Sequence, residues 1–151
     1  MCIRDSYKRT RLSESEEHEL NVKYLSANEL FSSSDVVSLL MPLNAETKHM
    51  IGAELLSLMK PQSYLINTAR GGVVEPDALY DTLIHNKIAG AASDVFWDEP
   101  NIPDRFKTLD NFVMTPHIGT NTKLARKNML IEVHDNIASY FKTGEVISRV
   151  V

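Results

Sequence analysis

From Asp35 onward, short apolar runs alternate with stretches in which apolar residues recur every three or four positions. Runs of the first kind read as buried strands and the second kind as amphipathic helices, so their alternation predicts βα units building a parallel sheet. Two runs, VVSLLM (36 to 41) and SYLIN (63 to 67), are rich in β-branched and apolar residues and read as strands buried on both faces. Pro42 ends the first, and the second begins just after Lys60 and Pro61. Between them Leu55, Leu56 and Met59 lie at helical spacing, which predicts a short helix over 53–59, stopped by Pro61. A second helix is predicted over 75–86, with Pro76 in its first turn and Leu79, Leu83 and Ile84 on one stripe.

Further along, the small residues of IAGAASDVF (88 to 96) predict a strand that lies close under neighbouring helices. FVMT, cut by Pro116, predicts the last strand. From Asn121 to about Lys142 the positions of Leu124, Met129, Ile131, Val133, Ile137, Tyr140 and Phe141 predict one long helix, ended by Gly144. Ahead of Asp35 the chain is polar and predicts at most a short helix and a strand over 22–25. The opening hexapeptide MCIRDS fits none of this and resembles a recurrent product of translated sequencing adapters. Residues 1–6 are therefore set apart from the fold, and 7–151 are read as the protein-derived segment.

Composition narrows the function classes. The chain has 151 residues, enough for one domain with a sizeable core, and a net charge of −4 that favours neither nucleic acid nor an anionic membrane. No apolar run approaches the roughly 20 residues of a membrane span, so the expected location is the cytoplasm. Cys2 is the only cysteine, and no metal site is expected.

In open α/β sheets ligands bind beyond the carboxyl ends of the strands, so the residues just after each apolar run carry the interest. Pro42 and Thr47 follow the first; Thr68, Ala69 and Arg70 follow the second; Asp94 and Glu99 follow the third; His117 and Gly119 follow the last. Taken singly, each is better explained as a solvated or turn residue. Their shared position makes complementary chemistry available. A guanidinium grips a carboxylate with two parallel hydrogen bonds, and a histidine beside a carboxylate holds its proton longer and is oriented by it. Gly71 and Gly72 would let the backbone come close to a ligand.

These segments carry a resemblance. SDVVSLLMPLNAETKHMIG, LINTARGGVVEPDAL, IAGAASDVFWDEP and FVMTPHIG resemble, in order and spacing, successive motifs of the D-isomer-specific 2-hydroxyacid dehydrogenases. The resemblance implies a Rossmann-type doubly wound parallel sheet, truncated at its N-terminal side, ending in a long C-terminal helix. It also implies that the substrate domain is largely absent. By the same resemblance Arg70 holds the substrate carboxylate, Glu99 pairs with the catalytic histidine and His117 is the acid/base. Pro42, Thr47, Thr68, Ala69, Asp94 and Gly119, together with Arg70 and His117, line the cofactor, with Asp94 facing the carboxamide. The implied reaction is hydride transfer between NAD(P)H and a small 2-oxo or 2-hydroxy acid, of glyoxylate or hydroxypyruvate type, in a homodimer.

The sequence also departs from the family pattern. The glycine-rich G-x-G-x-x-G turn is absent, and Tyr7, Lys8 and Arg9 match the end of the second strand that would follow it. The isolated chain is accordingly expected to be inactive. Where many NAD-specific relatives carry an acidic residue, this chain has Lys8, Arg9 and Arg11, cations that favour a 2'-phosphate and tip NAD or NADP slightly toward NADP. Ser93 replaces a common aliphatic residue beneath Asp94. Two other readings of the resemblance remain, a nucleotide-sensing corepressor-like binding protein and a phosphite dehydrogenase-like enzyme.

Overall fold

The computed structural model describes residues 4–149, which divide into two compact units meeting in sequence at Pro116. The first unit, Met1–Pro116, holds two parallel sheets. In one, β1 (Arg4–Ser6) pairs with β2 (Val22–Tyr24); in the other the order is β3 (Val36–Leu39), β4 (Tyr64–Asn67), β5 (Gly90–Ser93), β6 (Phe112–Met114). Helices α1 (Glu14–Leu20), α2 (Ala27–Ser33), α3 (Ala53–Leu58), α4 (Pro76–Ile84) and α5 (Asp104–Lys107) connect them. This is the Rossmann-like α/β architecture that the apolar pattern predicts. No helix among the described residues is long and apolar enough to cross a membrane.

Strand β1 is a departure from expectation, because it falls on residues of the hexapeptide set apart from the fold; Met1, Cys2 and Ile3 lie outside the described residues. Parallel pairing is made by backbone groups, so RDS joins β2 without needing an apolar pattern. Helix α2 was equally unmarked by apolar periodicity and is built on its first turn. Ser26 accepts from the Glu29 amide while the Glu29 carboxylate accepts from the Ser26 amide, a reciprocal cap worth about 1 kcal/mol. The Ser26 hydroxyl, which also donates to that carboxylate, holds the Glu29 acid below its ordinary range.

Strands β3 and β4 alternate rather than bury both faces, whereas β5 is buried along nearly its whole length. Val37, Leu39, Leu65, Ala91 and Phe112 join the core with Leu55 and Leu56 of α3 and Leu79 and Leu83 of α4, whereas Val36 and Tyr64 stay 57% and 49% exposed. Phe106 is fully buried, with Trp97, Phe112 and Tyr80 rings 5.0, 5.3 and 5.6 Å away. Each such fully buried side chain contributes about 1.5–3 kcal/mol. In the second unit, His117–Val151, helix α6 (Lys123–Thr143) is capped by the Thr122 hydroxyl at its start and by Gly144, with φ 79°, at its end.

Candidate functional site

Register sets the floor of the site. Leu39 pairs with Asn67, Asn67 with Ser93, and Ser93 with Met114, so β3 to β6 end at one level. Thr68, Asp94 and Thr115, each one residue further on, therefore emerge side by side from adjacent strands about 4.8 Å apart. Asp94 is buried; its amide donates to the Asn67 carbonyl at 3.0 Å, and its Oδ1 accepts from the Thr115 hydroxyl at 2.5 Å. The Ser93 hydroxyl donates to the Val95 carbonyl at 2.7 Å, which accounts for a polar residue in that buried position and shapes the turn around Asp94.

The Arg70 turn is clamped from below by Asn67, a residue that the apolar pattern had assigned only to a strand. Its side-chain Oδ1 accepts from the Ala69 amide at 3.0 Å and its Nδ2 donates to the Arg70 carbonyl at 3.1 Å. Asn67 is buried and Arg70 exposed, so the amide fixes the backbone while the guanidinium reaches outward. Arg70 Nη1 donates to the Ala69 carbonyl at 2.7 Å. Asn67→Ala leaves the Ala69 amide and the Arg70 carbonyl without these partners and is expected to cost about 2–3 kcal/mol. A denaturant midpoint unchanged from wild type would show that the clamp carries no such weight.

Gly71 and Gly72 do approach something closely, and it is the protein itself. A Cβ on Gly71 would meet the Phe96 carbonyl carbon at 2.1 Å and its oxygen at 2.2 Å; on Gly72 it would meet the Leu43 side chain at 3.0 Å. Phe96 in turn donates its amide to Glu99 Oε1 at 2.8 Å. The Arg70 turn and the Glu99 carboxylate are thus joined through one backbone contact and one hydrogen bond.

The loop after β3 folds on its own polar groups. The Thr47 hydroxyl donates to the Pro42 carbonyl at 2.7 Å, and the Asn44 side chain accepts from the Glu46 and Thr47 amides at 2.9 and 3.0 Å. This loop is also stitched to the Arg70 segment, since His49 and Ile51 donate to the Gly72 and Val73 carbonyls at 2.9 and 3.0 Å. One further pair joins it to the segment that follows β1: Arg9 Nη1 and Glu46 Oε2 lie 2.5 Å apart. Nearby, Arg11 grips both oxygens of Glu17 at 2.7 and 2.9 Å and lies over the Tyr24 ring at 5.3 Å, which holds the Glu17 acid low.

Pro42, Thr47, Thr68, Ala69, Arg70, Asp94 and Glu99 all belong to the first unit. His117 and Gly119 open the second, where His117 takes a left-handed backbone conformation, φ 53°, uncommon for a residue with a side chain. Asn67, Glu46 and the seat of Gly71 were not foreseen from the sequence; only Asn67, a polar residue closing an apolar strand, left a signal there.

A parallel sheet with its strand ends level, and with an arginine, a buried aspartate and a glutamate just beyond them, is the arrangement at which open α/β domains bind ligands. The chain belongs to the D-isomer-specific 2-hydroxyacid dehydrogenase family, whose NAD binding domain matches residues 5–119. It is 44% identical over 145 residues to a glyoxylate reductase of Thermococcus litoralis, covering 96% of this chain and 43% of the relative. Among solved structures, a glyoxylate reductase from Paecilomyes thermophila superposes with a TM-score of 0.89 at 35% identity, over 97% of this chain and 44% of that one. An NADPH-dependent glyoxylate/hydroxypyruvate reductase from Sinorhizobium meliloti, in complex with NADP and malonate, gives 0.87 at 31% identity, over 96% and 44%. The chain thus spans under half the length of these relatives.

Proposed function

We propose that the whole protein containing this segment reduces a small 2-oxo acid, glyoxylate or hydroxypyruvate in type, to the D-2-hydroxy acid. The observation that supports this most directly is the strand-end shelf, on which a clamped arginine turn and a held glutamate are tied to each other in a chain of this family. The residues suit the nicotinamide end of NAD(P): Asp94 offers carboxylate chemistry to a carboxamide N–H, and Thr68 and Ala69 follow the end of the adjacent strand β4. When bound there, the cofactor supplies the hydride. Arg70 orients the substrate carboxylate, His117 gives a proton to the carbonyl oxygen as C2 is reduced, and Glu99 is the carboxylate that the family resemblance pairs with that histidine. Arg9 and Arg11, beyond the end of β1, favour NADP(H) through the 2'-phosphate. We place the protein in the cytoplasm as a homodimer, for which the exposed Leu130 and Phe141 of α6 offer apolar area.

A turnover assay decides the reading. The whole protein is expected to oxidise NADPH when glyoxylate or hydroxypyruvate is added, and this 151-residue chain alone is expected to show no turnover. Nucleotide binding without turnover on any 2-oxo acid would support the corepressor-like reading instead, and NAD(P) reduction by phosphite the phosphite dehydrogenase-like one.

A further inference from the structure

We infer that Glu46 is a specificity-determining residue: it is an internal anion that occupies Arg9 and so sets how strongly the site prefers a phosphorylated over an unphosphorylated adenosine ribose. This rests on the cofactor reading above and extends it to a residue on a different loop. The two residues are 37 positions apart in sequence and meet at 2.5 Å, although each keeps most of its side chain in solvent, 80% and 67%. Arg9 follows β1 and Glu46 follows β3, so the pair lies on the carboxyl-end side of the strands of the first unit, the side on which open α/β sheets bind ligands.

The two nearby arginines are held differently. Arg11 is gripped by both oxygens of Glu17 and stacked on Tyr24, three contacts that must all be given up for it to reach a ligand. Arg9 has one nitrogen on one oxygen of Glu46. A guanidinium carries five donors in a planar fork, so Arg9 is the cation better able to turn toward a phosphate. Glu46 then opposes that phosphate twice, by competing for Arg9 and by direct repulsion of a group carrying close to two negative charges.

Removing the carboxylate is not expected to disturb the loop. The Glu46 amide is held by Asn44, and the Thr47 hydroxyl holds the Pro42 carbonyl; neither bond involves the Glu46 side chain. Exposed ion pairs are worth up to about 1 kcal/mol, and at 1.4 kcal/mol per factor of ten the expected change is about fivefold.

The test titrates the chain with adenosine 2'-monophosphate and with adenosine, followed by NMR, for wild type, Glu46→Gln and Arg9→Gln, with circular dichroism as the check on folding. Glu46→Gln is expected to tighten the 2'-phosphate ligand about fivefold and to leave adenosine unchanged; raising salt should shrink the gain. Arg9→Gln should weaken the phosphate ligand alone. Equal effects of Glu46→Gln on both ligands, no effect on either, or no measurable preference for the phosphate in any chain would each overturn the role of Glu46. If Arg9→Gln also leaves the preference untouched, the NADP(H) reading falls with it. An Arg9 effect without a Glu46 effect removes only the present inference. Should Glu46→Gln misfold, Glu46→Asp keeps the charge on a shorter stem and is expected to fall between wild type and Gln.

Discussion

Replacing Arg70 by Leu in the whole protein is expected to lower kcat/KM for a 2-oxo acid by about three orders of magnitude while leaving thermal stability unchanged. The magnitude follows from the interaction proposed. Two charge-assisted hydrogen bonds to one carboxylate are worth about 1.5–3 kcal/mol each, so their joint loss is about 3–6 kcal/mol, roughly two to four orders of magnitude in rate. Stability should not follow, because Arg70 is exposed and its turn is fixed through the Asn67 side chain and the Arg70 main chain. Arg70→Lys separates charge from geometry. It keeps the cation but loses the fork, so it should recover roughly a tenth to a hundredth of wild-type kcat/KM. The deficit should appear with every 2-oxo acid tried and be partly relieved by added guanidinium. A Leu variant within tenfold of wild type would mean that the substrate carboxylate is held elsewhere.

How far such a site is legible in sequence depends on the range of the interactions that build it. Apart from the four-residue α5, which no apolar stripe predicts, strand and helix positions from β3 onward follow local periodicity, and α6 begins and ends within two residues of the expected span because Thr122 and Gly144 cap it in sequence. Helix α2 is announced by Ser26 and Glu29 three residues apart, a capping signal that does not depend on an apolar stripe. Strand β1 left no pattern, since a three-residue parallel strand is made by its backbone. In the site, Arg70, Asp94 and Glu99 stand out because strand ends can be located from apolar runs. Glu46 does not, because its partner is 37 residues away and on another loop. The glycines were visible, but their reason was not: what fills the space where a Cβ would stand is known only once Phe96 is seen there.

That space supports the largest stability prediction. Gly71→Ala is expected to destabilise the protein by about 3 kcal/mol or more, a fall of roughly 6–12 °C in Tm for a domain of this size. The cause is steric and not conformational, since Gly71 has no left-handed φ. Its added methyl would lie 2.1, 2.2 and 2.7 Å from the carbonyl carbon, oxygen and Cα of Phe96, all main-chain atoms that no rotamer change can remove. Only separation of the two segments relieves the clash. Phe96 holds Glu99 through its amide and Gly71 follows Arg70 directly, so that separation moves both groups assigned to the chemistry. Activity should therefore fall further than the folded fraction does, which a purely destabilised enzyme would not show. Gly72→Ala is the internal control. The nearest atom to its new methyl is a Leu43 side-chain carbon at 3.0 Å, which can rotate away, so the cost should stay below about 1 kcal/mol. Equal Tm values for the two alanine variants would show that Gly71 is not held against Phe96 in this way, and the mechanical link between Arg70 and Glu99 would go with it.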